Sequence, residues 1–220
     1  DHPVSRTREY VAILRQLLAG ERVTYEGKFY RPRGFQLSMP APKHLPIYLA
    51  AVNPHMLQLA GEVADGVLLA WLPASQVPHS LAEIARGAER VARSLADIDL
   101  GCYIHTAVTH DREQTFKQLR RVLVGYCQAN TYIQGFRRFG YGDILDEVHD
   151  RWRAGDRAGA EAAIPARMVE DLYVFGTVEE CRAQIGRFVQ AGIQLPVVAA
   201  PPSSRLTSED FQGLLGAFGQ

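Results

Sequence analysis

The residues best placed to do chemistry in this 220-residue chain lie at the ends of short apolar runs. Pro46-Ile47-Tyr48-Leu49-Ala50-Ala51 leads into Val52-Asn53-Pro54. Asn suits a helix N-cap and Pro the first helical position. Ala50 and Ala51 let a ligand approach the backbone, and a helix N-terminus offers amide donors and a positive dipole end, a setting for a phosphate. The plain alternative is an ordinary cap behind a packed strand. Ala70-Trp71-Leu72 closes the next apolar run. Its indole could stack on a ring system or fill a rim. His105 ends a third run and is the titratable group best placed for proton chemistry near neutral pH. A structural histidine is the alternative, because catalysis also demands a partner. Thr177 and Glu180 form a capping box, so capping is the first role of the Thr177 hydroxyl and anion contact the second. Tyr126, Tyr132 and Tyr141 could shape a substrate pocket. No H-x-x-x-H pair and no C-x-x-C occur, so no metal site is expected.

Composition narrows the classes. Lys+Arg 24 balance Asp+Glu 24, which argues against a nucleic-acid binder driven by bulk charge. No apolar run reaches the roughly 18 residues that would span a bilayer. Cys102, Cys127 and Cys181 are odd in number and far apart, which fits a reducing, cytoplasmic setting.

The elements that must position these residues alternate. A helix is expected over 5–19, with Tyr10, Val11, Leu14, Leu17 and Leu18 recurring at helical spacing and Gly20 after it. Residues 23–25 and 28–30 read as a hairpin turning at Glu26-Gly27. Strands are expected at 46–51, 67–71, 100–108 and 195–200, each an apolar run buried on both faces. Helices lie between them, at 80–96 and after Asp111, Thr177 and Thr207 or Ser208. Gly61 is expected to permit close helix–sheet packing, and Asp65-Gly66 to be a structural turn. Residues 126–170, broken at Gly140 and Gly155, read as a helical insertion between the third strand and the helix before the last one. Four strands alternating with helices mean a parallel sheet, either an open one or half of a (β/α)8 barrel.

Three segments carry a resemblance. They are Arg8-Glu9-Tyr10-Val11 through Tyr25-Glu26-Gly27-Lys28-Phe29-Tyr30, Pro46 through Asp65-Gly66, and Phe175-Gly176-Thr177-Val178-Glu179-Glu180-Cys181 through Gly192. In this order they resemble the luciferase-like monooxygenase superfamily, in its branch that uses the deazaflavin coenzyme F420, close to the methylenetetrahydromethanopterin-reductase-like group. The resemblance implies a (β/α)8 TIM barrel of the bacterial luciferase type, of which this chain holds about the second half, strands five to eight. Residues 1–220 would then be one partial barrel domain and the back part of something longer. It implies contact with the cofactor at Ala50, Ala51, Val52 and Asn53, with Ala70, Trp71 and Thr177 at the same pocket.

The implied activity is hydride transfer between F420 and a small organic substrate. An FMN-dependent monooxygenase and a non-catalytic interaction unit are the alternatives. A phosphorylated sugar fits poorly, because the segments where its branch carries basic residues read Leu72-Pro73-Ala74-Ser75 and Glu170-Asp171-Leu172. Unpaired outer strands would make the piece oligomeric, or paired with the missing barrel half.

Overall fold

The computed structural model describes residues 2–39, 42, 45–201 and 208–218. In chain order the elements are α1 (Pro3–Leu18), β1 (Tyr48–Ala50), α2 (Pro54–Val63), β2 (Gly66–Ala70), α3 (Val77–Glu89), β3 (Asp99–Val108), α4 (Arg112–Cys127), α5 (Asn130–Phe136), α6 (Gly142–Arg153), α7 (Arg157–Ala162), α8 (Ala166–Leu172), β4 (Val174–Gly176), α9 (Val178–Gln190), β5 (Leu195–Ala199) and α10 (Ser208–Phe218). Thr207, one of the two expected caps of α10, lies outside the described residues. Two compact units form: the described residues up to Leu68 with Leu81–Asp99, and Leu69–Ser80 with those from Leu100 onward.

In the first unit β1 pairs β2 in parallel, Tyr48 opposite Gly66 and Ala50 opposite Leu68. The connection runs through α2, as parallel pairing requires. Asp65 ties the start of both strands. Its carboxylate accepts from the Ile47 amide at 2.7 Å and pairs with Arg15 at 2.7 Å, and its carbonyl accepts from the Asp99 amide at 2.9 Å. Burial works to raise the Asp65 pKa, but the Arg15 and Ile47 bonds outweigh it and hold the group ionised below its ordinary range. The Asp65-Gly66 turn is therefore a structural joint.

Two expectations change here. The chain at 23–35 makes one antiparallel bridge, Val23 to Phe35, and Tyr25 donates to the Pro32 carbonyl at 3.1 Å. The Gly27 amide donates to the Tyr30 carbonyl at 3.0 Å, so the arch turns at Lys28-Phe29, two residues beyond the expected Glu26-Gly27. The Glu9 carboxylate holds its tip by accepting from the amides of Lys28, Phe29 and Tyr30. Gly61 serves helix–helix packing instead of helix–sheet packing. A Cβ there would lie 2.1 Å from the Ile84 carbonyl oxygen of α3, and one at Gly87 would lie 1.9 Å from the Gln58 carbonyl oxygen of α2. The two helices meet backbone to backbone, each lacking a Cβ where the other presents a carbonyl.

In the second unit β3 is the central strand. Gly101 to His105 pair in parallel with Leu195 to Ala199 of β5, and Thr106 to Val108 pair in parallel with β4. β4 is a fifth strand beyond the four expected. Residues 126–172 are largely helical, with left-handed glycines at Gly140 (φ 87) and Gly155 (φ 79). Leu123, Cys127, Phe136, Leu145, Val148, Ile164 and Met168 bury completely in one core with Trp71 and Tyr173.

The expected burial of the outer strands on both faces is overturned. Tyr48 in β1 is 39% exposed and Leu195 in β5 is 44% exposed. Each of these strands has one paired neighbour among the described residues. Helix α3 also stops at Glu89, short of the expected 96, and leaves Val91 exposed. No helix of the described residues is long and apolar enough to cross a membrane.

Candidate functional site

In the first unit, Ala50 ends β1 and stays exposed, whereas Ala51 is buried and its amide donates to the Leu68 carbonyl at 3.3 Å. Val52 is half-buried. Asn53 takes the N-cap position with extended backbone, and Pro54 follows at the first helical position. The sequence places this turn correctly. Its donor count is smaller than expected, for Pro54 has no N–H and the amides of Met56 and Leu57 both bond the Asn53 carbonyl at 2.9 Å. The Asn53 side chain makes no capping bond to the helix. What remains for an anion is the His55 amide and the dipole of a ten-residue helix.

In the second unit, Ala70 is half-buried at the end of β2, and Trp71 follows in a left-handed conformation, φ 56, with its side chain 4% exposed. Such backbone is costly for any residue with a Cβ and persists only where surroundings dictate it. Here four rings surround it, three from other elements and one from the link between α8 and β4. The indole lies 3.8 Å from the Tyr126 ring of α4, 4.4 Å from His105 of β3 and 5.9 Å from Tyr132 of α5, centroid to centroid. Tyr173, between α8 and β4, meets it edge-on at 5.4 Å. Tyr103 and His105, two apart, share one face of β3, and their rings are 6.1 Å apart.

His105 is 7% exposed, and neither ring nitrogen meets a partner at hydrogen-bonding geometry. Burial pushes its pKa down, while the Ala200 backbone favours the charged ring to a lesser degree. The ring is therefore a neutral imidazole near pH 7. Tyr173, 2% exposed, also buries its hydroxyl without a partner, and burial pushes its pKa up. Two neutral hydrogen-bonding groups thus lie in one aromatic cluster, their rings 6.1 Å apart. Buried polar atoms are nearly always satisfied, so such a pair calls for a reason.

Of the residues expected to form a site, Trp71 and His105 come together, with Tyr126 and Tyr132 around them. Tyr141 does not join. It is packed in the core and its hydroxyl donates to Asp171. Thr177 acts as the N-cap of α9, accepting from the Glu180 amide at 3.3 Å, while its own amide donates to the Glu180 carboxylate at 2.8 Å. Tyr173 is the residue that sequence reasoning missed. The signal was present: three apolar residues, Val174-Phe175-Gly176, stand between a helix and a capping box, enough for a short strand that anchors the preceding ring.

The chain matches the luciferase-like monooxygenase family over residues 1–195. It is 29% identical to a protein of Mycobacterium tuberculosis whose name proposes a coenzyme F420-dependent oxidoreductase, across 90% of this chain and 63% of that protein. It is 27% identical to the 5,10-methylenetetrahydromethanopterin reductase of Archaeoglobus fulgidus, across 91% of this chain and 61% of that one. The chain thus spans about three fifths of the length of these relatives. Its fold superposes on the coenzyme F420-dependent tetrahydromethanopterin reductase of Methanopyrus kandleri with a TM-score of 0.81 and 23% identity, over 97% of this chain and 62% of that one. An F420-dependent secondary alcohol dehydrogenase, solved with an F420-acetone adduct, gives a TM-score of 0.72 and 18% identity over 97% and 61%. The match to the family model over residues 1–195, most of the chain, makes this chain a member of the luciferase-like monooxygenase family.

Proposed function

We propose that the protein is an F420-dependent oxidoreductase that moves a hydride between the deazaflavin and a small organic substrate. The observation that carries this is the pairing of family membership with relatives whose names specify F420 chemistry. The deazaflavin supplies the hydride chemistry when bound. The chain's own part is to bind, orient and exclude water. Ala50 and Ala51 keep the strand end open for the cofactor's phosphate-bearing side chain, with Val52, Asn53 and the dipole of α2 behind them. In the second unit, Ala70 and Trp71 are the cofactor contacts that the family resemblance implies. Thr177 contributes through the N-terminus of α9, its hydroxyl already engaged in capping. FMN in place of F420 is the competing cofactor within the same family.

Titration with F420 and with FMN, followed by cofactor absorbance, tests the reading. Micromolar F420 binding with weaker FMN binding is expected, and tight FMN binding without a response to F420 overturns it. Ala50→Glu places bulk and negative charge beside the proposed phosphate position. It is expected to weaken F420 binding at least tenfold, about 1.4 kcal/mol. The melting temperature should hold, because Ala50 is exposed.

The half-barrel organisation belongs to the same proposal. Its supports are the 62% coverage of the matched reductase structure and the exposed side chains of β1 and β5. On this reading those strands are covered by further barrel strands or by a second copy of the chain. Sedimentation of the 220-residue chain is expected to show self-association. A stable, monodisperse monomer would count against the half-barrel.

A further inference from the structure

The helical insertion carries a groove between α4 on one side and α6 and α7 on the other. Its volume is about 820 Å³, and its apolar walls are Val122, Gly125, Tyr126, Ala129, Trp152 and Ala158. Three observations set it apart from an ordinary surface dip. Trp152 leaves its side chain 36% exposed there, and a large ring left open in a concave apolar surface marks an interaction site. Gly125 lies inside α4 without a positive φ, and a Cβ there would meet nothing within 4 Å. Glycine inside a helix is unfavourable relative to alanine, and here neither a turn nor a close approach requires it. Its missing side chain leaves the groove deep. The rim, finally, is cationic. Arg121 and Glu161 pair at 3.3 Å and cancel. The Arg157 guanidinium lies over the Trp152 ring, 3.7 Å from its centroid, and donates to the Trp152 carbonyl. No carboxylate pairs with Arg157 among the described residues.

We propose that this groove binds an organic monocarboxylate with an extended apolar body, the carboxylate on Arg157 and the body along Gly125, Ala129 and Trp152. Sites for drug-sized molecules measure about 300–1,000 Å³, so a single small ring would leave most of this one empty. The apolar walls favour an apolar body, which takes the exposed Trp152 surface out of water. One guanidinium nitrogen of Arg157 is engaged by the Trp152 carbonyl, and the others remain for a carboxylate, the anion whose geometry a guanidinium matches. Stacking on Trp152 already restrains the arginine, so little side-chain freedom is lost on binding. A cationic head would meet like charge, and a dianion would find a second guanidinium, Arg121, already paired. The groove is a site apart from Trp71, which does not line it; Tyr126 lines it and stacks on the indole at 3.8 Å. Its ligand is therefore not the hydride partner, and the assignment stands independently of the F420 reading.

Isothermal titration of the full chain with decanoate, decan-1-ol and butanoate tests this, the decanoate kept below its micelle concentration. Decanoate is expected to bind in the micromolar range, about fivefold or more tighter than decan-1-ol, and butanoate roughly a hundredfold or more weaker than decanoate. In the indole NMR spectrum decanoate should move the Trp152 signal, identified by its loss in Trp152→Phe, more than that of Trp71. Gly125→Leu fills the groove and should weaken decanoate about tenfold or more. Its melting temperature should equal or exceed that of the parent, because leucine favours the helix and its Cβ enters open space. Arg157→Gln should weaken decanoate about tenfold and leave decan-1-ol unchanged. Decan-1-ol bound as tightly as decanoate, decanoate binding unchanged in Gly125→Leu, or a marked loss of stability in Gly125→Leu would each overturn the proposal. Sedimentation of the parent and of Gly125→Leu covers the other occupant. Self-association that Gly125→Leu abolishes, in a parent chain that binds no decanoate, would make the groove an interface between copies and remove the acid site.

Discussion

Gly61→Ala is expected to destabilise the protein by about 2 kcal/mol or more, against the usual direction for this exchange. Alanine in a helix interior is ordinarily favoured over glycine by about 1 kcal/mol. Gly61 lies inside α2 with ordinary helical backbone, so propensity alone predicts a gain. The obstacle is what the new Cβ would meet: the Ile84 carbonyl oxygen at 2.1 Å and the Ala88 nitrogen at 2.8 Å. These are backbone atoms of α3 and cannot swing aside. The helices would have to separate, and overpacking of this kind costs about 1–3 kcal/mol before the loss of neighbouring contacts is counted. Those contacts include Leu57, Ile84 and Ala88, all fully buried, and the hydrogen bond from Gln58 to the buried Glu83 at 2.6 Å. Gly87→Ala should behave alike, because its Cβ would fall 1.9 Å from the Gln58 carbonyl oxygen. Gly186 in α9 is the control. A Cβ there meets nothing within 4 Å, so Gly186→Ala should raise stability by about 0.5–1 kcal/mol. Urea denaturation of the three variants decides the matter. Equal or increased stability for Gly61→Ala would show that α2 and α3 do not approach in this way.

The same glycines show where sequence reading stops. The missing Cβ at Gly61 is visible in the sequence, and that something approaches closely is a fair inference. Which element approaches is not, since it depends on how α3 lies, and the expected helix–sheet contact proved to be helix–helix. Local signals fared better. Thr177 with Glu180 and Asp111 with Gln114 were legible as helix starts, because a cap is made within four residues and both occur as expected. Apolar runs located four strands to within two residues, but they overstated burial at β1 and β5. A run of Ile, Leu and Val records what a strand would bury, and the neighbour that buries it is set elsewhere. The site was half legible. Trp71 stands just past the end of β2, which topology makes conspicuous, whereas His105, expected at a strand end, lies three residues inside β3. Tyr173 precedes a three-residue strand too short to carry a pattern, and the left-handed backbone at Trp71 has no signature in residue type, since glycine or asparagine is the usual occupant.

That backbone supports the second large effect. Trp71→Ala is expected to cost about 3–5 kcal/mol, the range for removing a large buried aromatic side chain. The indole contacts four rings, so its loss opens a space bounded by His105, Tyr126, Tyr132 and Tyr173 that rigid aromatic side chains refill poorly. For a domain of this size that corresponds to a fall of roughly 8–15 °C in melting temperature. Trp71→Gly sharpens the test, because the two variants lose the same ring but differ in backbone. Alanine keeps a Cβ at φ 56 and retains the left-handed strain, whereas glycine adopts that conformation freely. Trp71→Gly should therefore be more stable than Trp71→Ala by about 1 kcal/mol, the reverse of the order in most folded contexts. Of the two tryptophans, Trp152 alone would remain in either variant, so a red shift of the emission would report loss of the buried indole. Trp71→Ala at the stability of the parent would mean that the cluster does not exist as described. Trp71→Gly below Trp71→Ala would mean that the indole sits on relaxed backbone, and strain would no longer distinguish this strand end from an ordinary packed rim.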